Sequence, residues 1–86
     1  MEKGIGPIVE RLRRTRERLG LTQRDLAQRS GTGQAQISRI ESGAADPQIS
    51  TLMEIARALG MEIVAVPQAL VGTMAAFEPQ TVKAGQ

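Results

Sequence analysis

The 86-residue chain reads as an all-α bundle of four or five helices followed by one C-terminal β-strand. Apolar residues recur at helical spacing in four successive segments, glycines stand at the ends of those segments, and one run, MEIVAVP at 61–67, is β-rich. A chain of this length builds one modest core, so tight helix packing or association of copies is expected to supplement it. Residues 1–67 are expected to form the domain. Residues 68–86 form a tail of weak periodicity, mobile over its last dozen or so residues.

Pro7 suits the first turn of a helix, and Ile8, Leu12, Thr15 and Leu19 then share a face up to Gly20. Thr22 is a good N-cap for a second helix ending at Ser30, with Asp25 complementing the dipole and Leu26 and Ala27 facing inward. Gly31 provides a sharp turn. A third helix spans 34–42, with Ile37 and Ile40 inward and no large apolar residue outward. In the fourth, Leu52, Ile55, Ala56 and Leu59 follow i, i+3, i+4, i+7, and Thr51 with Glu54 fits a capping box.

Composition narrows the function. Without Cys or His the chain lacks disulfides, thiolate metal sites, the commonest general base and the commonest metal ligand, so neither an enzyme nor a cofactor or metal protein is expected. No apolar run approaches the roughly 20 residues of a membrane span, and the N-terminus lacks the apolar centre of a signal peptide, so the expected setting is cytoplasmic.

Charge is unevenly placed. Residues 1–39 hold nine basic side chains (Lys3, Arg11, Arg13, Arg14, Arg16, Arg18, Arg24, Arg29, Arg39) and four acidic ones (Glu2, Glu10, Glu17, Asp25), a net of +5. The remainder holds Arg57 and Lys83 against Glu41, Asp46, Glu54, Glu62 and Glu78, a net of −3. All but one of the nine are Arg, whose planar fork suits phosphate or guanine. The competing reading is a solvated helix face with intrahelical pairs such as Arg13 with Glu17.

The run from Gln23 to Glu41, QRDLAQRSGTGQAQISRIE, resembles the helix-turn-helix of the phage repressor and Cro family, also called XRE. Gln23 opens the motif, Ala27 is small enough for close helix approach, Gly31 makes the turn, and Ile37 and Ile40 face the core. The likeness extends over about residues 8–60. It implies a lambda-repressor-like bundle and a sequence-specific, double-stranded DNA-binding repressor. It also implies that Arg16 and Glu41 form a structural ion pair tying the first helix to the third.

In that family geometry the third helix enters the major groove with its N-terminal residues at the base edges. Gln34 then suits adenine N6 and N7, Arg39 suits guanine O6 and N7, and Ala35 suits a thymine methyl group. Ser38 is an adaptable donor or acceptor, and Gln36, nearer the side of the helix, is a weaker base contact. Thr22, Gln23 and Arg24 at the start of the second helix are phosphate candidates, as are Arg13 and Arg14 on the first. Any single Gln or Ser here could equally be ordinary surface. Gly33 departs from the family pattern, in which Ser or Thr commonly caps the recognition helix, and this puts a hydroxyl-to-phosphate contact in doubt.

Met61, Ile63 and Ala65 would line one face of the C-terminal strand, with Glu62, Val64 and Val66 on the other. The chain offers no second strong strand, so the simplest partner is the same segment of a second copy, giving a homodimer on a palindromic operator. The alternative is that 59–67 continues as coil or a short helix. A helix-turn-helix followed by one strand also resembles the HipB-type antitoxins, which bind a HipA-like kinase toxin and silence their own operon. The remaining alternative is a protein-interaction adaptor that keeps the fold without reading DNA.

Overall fold

A computed structural model of the protein describes residues 5–72. Four helices follow in order: α1 Gly6–Arg18, α2 Gln23–Ser30, α3 Gln34–Ser42 and α4 Ile49–Ala58, then a short 3-10 turn at Gln68–Leu70. The all-helical bundle expected from the sequence is what forms. The expected looseness at the far end of the tail lies outside the described residues.

Each helix buries most of the stripe its spacing marks, with Leu19 of the first the exception. Leu12, Leu26, Ile37, Ile40, Leu52, Ile55, Ala56 and Leu59 form one continuous core, with Leu26, Ile37 and Leu52 almost fully enclosed. Burying one such side chain contributes roughly 1.5–3 kcal/mol. α2 packs against both α3 and α4, and α3 packs also against α1. The small Ala27 is partly buried against this core.

Helix ends follow local chemistry. Thr22 and Asp25 make a reciprocal cap: the Asp25 N–H donates to the Thr22 hydroxyl at 3.0 Å, and the Thr22 N–H donates to the Asp25 carboxylate at 2.9 Å. The Thr22 backbone N–H, and more weakly the Thr22 hydroxyl, hold the Asp25 carboxyl below its ordinary range. At Gly31, φ is +78°, and its N–H closes on the Ala27 carbonyl at 3.0 Å. α4 ends in a Schellman motif: Gly60, at φ +78°, donates to the Arg57 carbonyl at 3.0 Å, and Met61 donates to the Ala56 carbonyl at 2.8 Å.

Two local expectations are corrected. Thr51 is not a cap, because α4 starts two residues earlier at Ile49 behind Gln48, and the Thr51 N–H already bonds to the Gln48 carbonyl at 3.0 Å. With Thr51 inside the first turn, no capping box with Glu54 forms. Leu19 is 54% exposed, since it stands just past the last turn of α1, whereas Thr15 and Arg16 are buried. The Thr15 hydroxyl is satisfied within its own helix, donating to the Arg11 carbonyl at 3.0 Å.

Residues 61–67 carry no regular secondary structure, and the described residues contain no strand. A strand needs a ladder partner, which one β-rich run in one chain lacks. Met61 and Ile63 nonetheless pack against the core, while Glu62, Val64, Ala65 and Val66 face outward. Among the described residues no helix is long and apolar enough to cross a membrane.

Candidate nucleic-acid interface

At about 100° per residue, Gln34, Ala35, Ser38 and Arg39 fall on one stripe of α3, opposite Ile37 and Ile40. All four stripe residues are exposed, and the two isoleucines are buried. Gln36 is exposed beside the stripe. The stripe is polar except for one methyl group, with one positive charge at its C-terminal end. Arg39 rests loosely over the helix end, its guanidinium 3.4 Å from the Ala44 carbonyl, while Ser42 donates its hydroxyl to the Arg39 carbonyl at 3.1 Å. A bond that long leaves the guanidinium free to be drawn to another acceptor.

The orientation of α3 is set from its flank. Arg16 donates from Nε and Nη2 to the two carboxylate oxygens of Glu41 at 2.8 and 2.9 Å, a bidentate pair with both side chains about nine-tenths buried. Its Nη1 donates to the Leu21 carbonyl at 2.7 Å. This hydrogen bonding to Glu41 outweighs burial and raises the Arg16 pKa above its ordinary value. Gln23 adds a third donor, its amide nitrogen 2.9 Å from Glu41 Oε1. One carboxylate thus ties α1, the start of α2 and α3 together. The Gln23 contribution is not visible in the sequence, because a neutral amide eighteen residues away leaves no charge or spacing signal.

The phosphate candidates separate into two groups. Arg13 is held by Glu10 at 2.7 Å and Glu17 at 2.8 Å, and Arg14 by Glu10 at 3.0 Å. Hydrogen bonds from Arg13 and then Arg14 hold the Glu10 carboxyl below its ordinary range. Much of the charge on α1 is therefore met within the helix, as i,i+3 and i,i+4 spacing allows. Arg24, with Arg18 and Arg29, is exposed and makes no salt bridge or side-chain hydrogen bond among the described residues. Thr22 uses its hydroxyl as the cap, and Gln23 is turned toward Glu41, so the α2 terminus already holds one carboxylate, that of Asp25. At α3, Gly33 provides no side-chain cap. Among the described residues no group of three acidic, His or Cys side chains could hold a metal ion.

Comparison with known proteins agrees with this geometry. A family model described as helix-turn-helix matches residues 12–66. An uncharacterized HTH-type transcriptional regulator of Sinorhizobium fredii is 44% identical over 63 residues, covering 73% of this chain and 32% of that protein. One from Haemophilus influenzae is 37% identical over 60 residues, covering 70% of this chain and 61% of its own length. A second Sinorhizobium fredii protein of the same description is 43% identical over 61 residues, covering 71% of this chain and 75% of its own. The chain thus spans about a third and about three fifths of the first two relatives. No solved structure matches it. With the match running from Leu12 in α1 through the Gly31 turn and α3 to Val66, the chain belongs to the helix-turn-helix family.

Proposed function

We propose that the protein is a sequence-specific DNA-binding transcriptional regulator that represses by binding a palindromic operator as a homodimer. The observation that carries this reading is the exposed stripe Gln34, Ala35, Ser38 and Arg39 on a helix fixed from the side by Arg16, Gln23 and Glu41. Gln34 and Arg39 supply bidentate base contacts, Ala35 an apolar one, and Ser38 and Gln36 subsidiary ones. Among the phosphate candidates Arg24 is the strongest, because among the described residues it forms no salt bridge and feels Asp25 only at longer range, whereas Arg13 and Arg14 must share their charge with Glu10. Thr22 and Gln23 would present the backbone of the α2 terminus. The names given to the relatives support the reading.

One reading head gives limited specificity, and relatives of this architecture gain it from two half-sites roughly 34–36 Å apart. The segment 61–66 is proposed to hold two copies together as an antiparallel ribbon. The plan of one β-rich run after the helix-turn-helix also supports an antitoxin role against a HipA-like kinase toxin. A kinase-like reading frame beside the gene, with complex formation on co-expression, is the corresponding test; purified proteins that remain separate would remove that role.

The main reading is tested by selecting bound duplexes from random DNA and titrating the selected site against salt. A palindromic consensus is expected, with affinity falling steeply as salt rises. An adaptor with this fold would enrich no sequence and show a flat salt response. Arg39→Ala should lose about 1–3 kcal/mol of discrimination at a single base position. Uniform weakening on every sequence would instead assign Arg39 to the phosphate backbone.

A further inference from the structure

A groove of about 380 Å³ lies between the first half of α1 and the end of α4, walled mainly by apolar side chains, among them Pro7, Ile8, Ala56, Met61 and Ile63, with the charged Arg11 and Glu62 also in its lining. Its wall is held within the single chain, since Met61 donates to the Ala56 carbonyl at 2.8 Å and Arg57 donates to Glu62 at 3.3 Å. The chain continues into four large apolar side chains, Val64, Val66, Leu70 and Val71, which are 39% to 65% exposed. Leu70 and Val71 remain about half exposed, so the chain's own turn does not fill the groove.

We propose that the groove of each copy receives the 68–71 turn of a second copy, with Leu70 as the inserted side chain. This rests on the ribbon-paired dimer proposed above and adds the contact that stabilises it. In an antiparallel pair centred on Val64, the partner's Val66 stands opposite Glu62 and the partner's Gln68 opposite Gly60. The chain leaving the partner's Pro67 then runs back along the end of α4, where the groove lies. A two-stranded ribbon is marginal by itself in water, and stable interfaces bury about 800 Å² per partner, so the dimer needs apolar surface beyond the ribbon. The groove and the exposed turn supply the two halves of that surface. The exchange is reciprocal, which gives closed twofold symmetry.

The chain contains no cysteine, so engineered disulfides report placement directly. In the full-length double variant Ile8→Cys/Leu70→Cys, mild oxidation is expected to give a covalent dimer on a non-reducing gel. A disulfide closed within one chain overturns the proposal, and so does the absence of any disulfide when Val64→Cys alone cross-links into dimers. That last combination leaves the ribbon dimer standing and removes only the groove contact. If Val64→Cys also gives no dimer and the unmodified chain sediments as a monomer, the dimer and the groove contact fall together. As a second measurement, Leu70→Glu should raise the dimer dissociation constant about tenfold or more with helical circular dichroism unchanged, because two inserted leucines are lost. An unchanged dissociation constant overturns the insertion.

Discussion

Glu41 accepts from three donors on two other helices, which ties α3 to both of them. Removing it leaves Arg16, only 8% exposed, with Glu17 at 3.8 Å as its remaining counter-charge and no close carboxylate hydrogen bond. Glu41→Ala is therefore expected to lower unfolding stability by about 3 kcal/mol in urea denaturation, the low end of the cost of breaking a buried pair, since the more distant Glu17 offsets part of the charge. Converting both partners, Arg16→Met with Glu41→Leu, should recover most of that loss, because the desolvation of both ions is removed together. A loss below about 1 kcal/mol for the single variant would reduce the pair to the standing of a surface salt bridge.

Among the elements, α3 starts without a side-chain cap, as α1 and α4 do. Gly33 occupies the N-cap with φ −61° and ψ 150°, a backbone conformation open to any residue, and a Cβ added there meets nothing within 4 Å. Gly33→Ser should gain a few tenths of a kcal/mol of stability by giving a first-turn N–H an acceptor, measured as a raised denaturation midpoint. A midpoint that stayed level or fell would mean that this N–H is already satisfied by solvent.

The bounds of α3 were legible because Gly33 and Gly43 bracket a clear inward pair, Ile37 and Ile40. The start of α4 was not. Thr51 and Glu54 have the letters of a capping box, but the cap is decided by where the backbone turns helical, and after Pro47 it does so at Ile49. Leu19 misled for a related reason: its spacing is right, yet it lies where the helix has already ended. The site was legible where it depends on periodicity or on opposite charges. The pairing of Arg13 with Glu17 was likewise legible from its i,i+4 spacing, whereas the site was hidden where it depends on an amide, as at Gln23, or on Glu10 holding both Arg13 and Arg14.

At the scale of the whole molecule, the segment after α4 serves the fold first and the proposed dimer second. Met61 and Ile63 pack against the core, so a chain ended after Ile63 keeps the apolar cover of the bundle and loses most of the ribbon and the exposed turn. Such a chain should keep its helical circular dichroism, sediment as a monomer, and bind the operator about 10²-fold more weakly through lost bivalency. A shortened chain that remained dimeric would place the interface elsewhere.

The division of α3 into a buried edge and an exposed stripe has a consequence for how such a scaffold can change over time. Ile37, Ile40 and Glu41 hold the helix in place, whereas Gln34, Ala35, Ser38 and Arg39 contribute little to the core. Replacements along the stripe should shift folding free energy by only about 0.5 kcal/mol in either direction. Under the proposed function, the same bundle can then be redirected to a new address on the genome by four exposed positions, with the machinery that keeps it folded left untouched.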